Sequence, residues 1–159
     1  MNQSKTFTIE EARSLIPKLK EMLEAANDQL GELAKEVEAQ AVRYQSIEEK
    51  LAQAKSSRGD GDEIAQLRSM REEFQDAIED LSKAKQEYVG CLTNWVERIS
   101  DTGVLLRDIS TGLLDFPARQ GKVDYYLCWT LNEPDIDYWH LENDGFVGRR
   151  PLAVLAEYF

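Results

Sequence analysis

An apolar seven-residue repeat runs through the first hundred residues and breaks once. One track reads Ile9, Ile16, Leu23, Leu30, Val37, Tyr44, Leu51, and its companion Ala12, Leu19, Ala26, Leu33, Gln40, Ile47, Ala54. After the polar segment SSRGDG at Ser56–Gly61, the pattern resumes as Ile64, Arg71, Ile78, Lys85, Leu92, Ile99 beside Leu67, Phe74, Leu81, Tyr88, Trp95. Alternating steps of three and four put such residues on one helical stripe, and a strict period of 3.5 calls for a supercoiled partner.

Thr8 with Glu11 three residues later is a capping box, and Phe7 sits where a hydrophobic staple would. The first helix is therefore expected over about 8–55. Pro17 falls inside it, removing a hydrogen bond and crowding the preceding turn, which predicts a kink or a division. Residues 56–61 have the length of a helix–helix turn, not of a flexible linker. The second helix is expected over about 62–101, capped by Asp60 or Asp62 and closed by Gly103.

A short turn makes the helices antiparallel. It sets Leu51 against Ile64, Tyr44 against Arg71, Val37 against Ile78 and Leu33 against Leu81. Residues 1–102 thus read as a coiled-coil hairpin. Met22, Ala34, Ala41, Met70, Ala77, Ala84 and Cys91 form weaker stripes beside the seam. They suit either a second hairpin, giving a four-helix homodimer, or simply a wider seam.

Charge narrows the partners. The net charge is −11, and neither part of the chain contains a basic run. Binding to DNA or RNA by counterion release needs clustered Lys and Arg, so nucleic acid is not an expected partner, nor is an anionic membrane surface. No apolar stretch is long enough to span a bilayer, and the N-terminus lacks the hydrophobic segment of a secretory signal. Cys91 and Cys128 lie far apart and outside any CxxC pair, which reads as reduced thiols in a cytoplasmic protein.

From Gly103 the period shifts towards two, with turn residues every few positions. Extended segments are expected at Val104–Asp108, Leu113–Pro117, Val123–Leu131 and Ile136–Leu141, followed by FVGRRPL. Short connections imply an antiparallel meander. The fold class is α+β: a long helical hairpin followed by a small β-rich module, residues 103–159, packed on its open end near Ile9, Ile16, Trp95 and Ile99.

The strings GVLLRDISTGLLDFPA, YLCWTLNEPDIDYWH and GFVGRRPL resemble an uncharacterised bacterial family, domain of unknown function 2203. The resemblance is specific over about 103–152; the helical portion is generic. Family patterns more often have Gly-Glu-Pro where Asn132-Glu133-Pro134 stands here, which changes the turn and keeps the acid. The resemblance implies a fold and a cytoplasmic location, and no reaction.

The sole histidine, His140, lies in an aromatic-rich segment. A lone His with carboxylates has some metal-binding chemistry, but HxH, HExxH and clustered Cys/His spacings are missing, so no metal or cofactor is expected. GxSxG, phosphate-loop and dinucleotide patterns are missing as well. One reading is structural: Asp108 and Asp115 serve turn backbone, Asp115 pairs with Arg149 or Arg150, and His140 is a bonded structural side chain. The other is a pocket in which His140, Glu133 and Arg149 hold an anionic ligand, framed by Trp129 and Trp139.

The leading expectation is a cytoplasmic, non-enzymatic interaction or scaffold protein, homodimeric through its hairpin. The alternative is a small ligand-binding or metal-dependent enzyme sited around His140, Glu133, Asp108, Asp115 and Arg149.

Overall fold

The computed structural model describes residues 5–55 and 61–159. Two long helices, α1 (Ile9–Lys55) and α2 (Gly61–Ser100), pack together and precede a five-stranded sheet, giving an α+β fold. Its strands are β1 (Leu105–Asp108), β2 (Leu113–Gln120), β3 (Val123–Trp129), β4 (Tyr138–Leu141) and β5 (Arg150–Pro151). A short 3₁₀ turn (Leu152–Val154) and α3 (Leu155–Tyr158) complete the chain. The expected turn at Ser56–Gly61 lies, apart from Gly61, outside the described residues. The chain divides into two compact units, Met1–Asp28 with Thr93–Phe159, and Gln29–Leu92. The boundary expected near residue 102 separates elements of secondary structure, whereas compactness groups the outer ends of both helices with the sheet.

Local signals set the helix ends. The Glu11 backbone N–H donates to Thr8 Oγ1 at 3.1 Å, and Phe7 and Ala12 are both buried, as a capped and stapled start requires. Gly103, at φ +98°, donates its N–H to the Ser100 carbonyl and ends α2 in a conformation that favours glycine. Pro17 does not divide α1, which continues through it.

Within Gln29–Leu92 the α1 side of the seam is Leu30, Leu33, Val37, Gln40, Tyr44, Ile47 and Leu51, all buried or half-buried, matching the sequence tracks. On α2, Leu67, Phe74, Leu81 and Tyr88 face inward as expected, but the companion track differs. Met70, Ala77, Ala84 and Cys91 occupy it, while Ile64 is 55% and Ile78 37% exposed, and Arg71 and Lys85 face solvent. The register moves accordingly. Tyr44 stacks on Phe74 (ring centroids 5.2 Å apart) instead of meeting Arg71, and Cys91 Sγ lies 3.7 Å from Gln29 Oε1. Burying the Arg71 and Lys85 track would desolvate charges, whereas the alanine track admits close helix approach without that cost.

In the other unit the sheet is an antiparallel meander in the order β1-β2-β3-β4-β5. Alternation gives it two chemically distinct faces. Leu114, Phe116, Ala118, Tyr125, Leu127, Trp129 and Trp139 form one core with Phe7, just before α1, and with Ala12, Leu19, Leu23 and Ile99 of the helix ends. The β1–β2 turn is pressed close to this core. A Cβ on Gly112 (φ +69°) would stand 2.7 Å from Leu131 Cβ and 3.2 Å from Leu23 Cδ1. Asn27 Nδ2 fastens the same turn by donating to the Ile109 carbonyl at 3.0 Å. The opposite face of the sheet carries the polar residues.

Candidate functional site

Three central strands build that polar face. Asp115 on β2 pairs across the sheet with Cys128 on β3, and Tyr126 pairs with His140 on β4. Alternation therefore brings Asp115, Cys128, Tyr126 and His140 out on the same side, away from the Trp129–Trp139 core. Asp115, Cys128 and His140 are nonetheless buried. An open cavity of about 480 Å³ lies over them, lined also by Arg107, Glu142, Asn143 and Phe146.

A buried carboxylate is tolerated only when its oxygens are bonded and its charge is matched. Asp115 meets both conditions. Its Oδ1 lies 2.9 Å from His140 Nε2, and Arg107 Nε donates to its Oδ2 at 3.0 Å. His140 Nδ1 lies 2.7 Å from the Leu141 carbonyl oxygen. A carbonyl can only accept, and so can an ionised carboxylate, so both ring nitrogens must donate and the ring is an imidazolium. Hydrogen bonding to Asp115, then to the Cys128 sulfur, outweighs burial and pushes the His140 pKa up to about 10.

A second polar cluster involves Glu133 and Arg149. Arg149 Nη1 stands 2.5 Å from Glu133 Oε1 in a close ion pair, and buried Glu133 Oε2 lacks a hydrogen-bond partner among the described residues. The guanidinium is sandwiched at 4.0 Å from the Tyr138 ring and 4.3 Å from that of Phe146. Burial opposes its charge, but its polar interactions with Glu133 and with Cys128 more than offset that and hold its pKa above the ordinary value. Cys128 is thus the element common to both clusters.

The remaining candidates separate from these. Asp108 accepts from both the backbone N–H and the hydroxyl of Ser110, which lower its pKa and make it a turn residue on the exposed edge. Asp115 serves no turn and pairs with neither Arg149 nor Arg150; its partners are His140 and Arg107. Trp129 and Trp139 are on the core face, donating their indole N–H groups to the Glu133 and Pro151 carbonyls, so they do not frame the cavity. Sequence reasoning misses Arg107 and Cys128, which contact the buried Asp115–His140 pair, and the lining residues Glu142, Asn143 and Phe146. Period-two alternation through LLDFP and YYLCW would have put Asp115 and Cys128 on one face; nothing local announces Arg107, which lies where the β1–β2 register shifts.

A Cys–His–Asp arrangement invites comparison with nucleophilic triads, and the geometry argues against one. A triad uses both ring nitrogens, one towards the thiol and one towards the acid. Here Nδ1 is taken by a backbone carbonyl, so thiol and carboxylate share the Nε2 side.

Comparison with known proteins gives one family: the model of an uncharacterised conserved protein family, domain of unknown function 2203, matches residues 5–152. No curated protein and no solved structure matches. No helix among the described residues is long and apolar enough to cross a membrane.

Proposed function

The chain belongs to this uncharacterised family, and with no reaction to inherit from it we propose that the protein is a non-enzymatic interaction protein that self-associates through its hairpin. One observation carries the reading. The heptad-spaced track Ile64, Arg71, Ile78, Lys85 stands outside the seam and faces solvent, although a lone hairpin has no use for it. Val42 and Val89 are exposed as well, and an apolar groove of about 290 Å³ is lined by Ala34, Val37, Lys85, Tyr88 and Val89. A second copy is the fitting occupant, because Arg71 and Lys85 interleave the apolar positions while the chain as a whole carries a net charge of −11. Two hairpins would then form a four-helix bundle of the coiled-coil kind. Two free cysteines accord with a cytoplasmic setting.

Sedimentation equilibrium at micromolar concentration tests this. A dimer is expected, with Ile78→Asp plus Val89→Asp shifting it to monomer. A wild-type monomer would refute it. The cavity above His140 favours a second, compatible reading as a small-ligand pocket, since Arg107, 45% exposed, stands at its rim as an anion anchor. Under the scaffold reading His140→Gln leaves association unchanged, whereas a ligand-dependent function at this site is lost with it.

A further inference from the structure

We propose that Asp115, Cys128 and His140 form a zinc-class metal site with one coordination position open to the cavity. One donor atom from each residue lies within 4.8 Å of the others, and these residues are on adjacent strands of one sheet. Strands fix such positions better than loops do. The inference is independent of hairpin association.

The donor set selects the metal. Thiolate, imidazole and carboxylate together suit zinc or cobalt, whereas calcium and magnesium prefer oxygen alone. Zinc–ligand bonds of about 2.0–2.3 Å place ligand atoms roughly 3.3–3.8 Å apart in a tetrahedron. The 2.9 Å His140–Asp115 contact would open by less than about 1 Å, with the sulfur adjusting on a similar scale. Three protein ligands leave a fourth position, and the cavity supplies the space for it.

The surroundings match what a ligating histidine needs. The Leu141 carbonyl accepts from His140 Nδ1 and so aims Nε2 at the other two donors. Arg107 holds Asp115 by Oδ2, leaving Oδ1 for the ion. Arg149, near enough to Cys128 to interact with it, puts a positive charge beside the sulfur. The exchange balances in charge: a divalent ion displaces one proton from Nε2 and one from Sγ. The two nearby arginines therefore face the same total charge before and after binding.

Cobalt(II) titration of chelator-treated protein, purified without a histidine tag, tests the site. One cobalt per chain is expected, with an intense thiolate-to-cobalt charge-transfer band that zinc abolishes. The band should be lost in Cys128→Ser, checked for folding by circular dichroism, and kept in Cys91→Ser. Failure to bind cobalt, or a band that Cys128→Ser leaves intact, overturns the proposal. If Cys128→Ser does not fold, Cys91→Ser decides, because Cys128 is then the sole thiol. A saturable band at one equivalent supports the site, and its absence overturns it.

Discussion

The two compact units of this chain bury their apolar residues in different ways. Among the described residues of Gln29–Leu92, the buried apolar side chains are Leu30, Leu51, Ala77 and Ala84. The unit that holds the sheet packs fourteen of its described residues into one cluster, including Phe116, Trp129 and Trp139, and buries Asp115 and His140 besides. A two-helix layer shields one stripe per helix, whereas helices against a sheet enclose a core on several sides. The two units therefore differ in kind: one has the density to hold buried charge in fixed geometry, and the other has apolar surface left to offer.

The largest expected effects test that density. Phe116→Ala or Leu19→Ala should cost about 3–5 kcal/mol, the range for emptying a tightly packed site. Leu33→Ala or Leu81→Ala, at half-buried seam positions, should cost about 1 kcal/mol in the monomer. Urea denaturation of the four variants checks the contrast. Equal losses would mean that the hairpin is covered in solution, which is what self-association predicts and dilution would reverse.

Next comes the buried ion cluster. Asp115→Ala leaves the His140 imidazolium and Arg107 without their shared acceptor, and breaking a buried pair in this way costs about 3 kcal/mol or more. The pH dependence has a definite sign. The folded protein holds the His140 proton up to about 10, against 6.5 for the free side chain. Its contribution is therefore complete below about pH 6.5 and disappears as pH rises through about 10. Metal-free protein should lose stability along that alkaline limb, and His140→Gln should flatten it in thermal melts. An NMR titration placing the His140 pKa near that of a free imidazole would contradict the bonded geometry.

How far sequence reasoning reaches differs between the units too. The α1 tracks are legible because both are apolar over seven positions each, Gln40 excepted. On α2 the competition is closer: Ile64 and Ile78 look like seam residues, and hydrophobicity alone ranks them above Ala77 and Ala84. Two charges on their track decide otherwise, since Arg71 and Lys85 keep their hydration only by staying outside. In the sheet, alternation and short turns announce the strands and their antiparallel order. The Asp115–Cys128–His140 cluster is not announced, because it joins residues from three strands whose pairing registers no local pattern sets. Asp108 shows the converse: its role with Ser110 is local, two residues away, and a sequence reader can see it.

The smallest expected effect probes the loose unit alone. Arg43 Nη1 donates to Asp80 Oδ2 at 2.6 Å across the two helices, with both side chains about half exposed. Solvent screening and the entropy of holding two long side chains should leave this pair about 0.2–1 kcal/mol in a double-mutant cycle. Arg43→Ala and Asp80→Ala, singly and together, would measure it at low and high salt. A coupling that stays above about 1 kcal/mol in high salt would show the pair to be desolvated. The hairpin face around it would then be covered by another surface, and the contrast between the units would belong to the isolated chain and not to its assembled form.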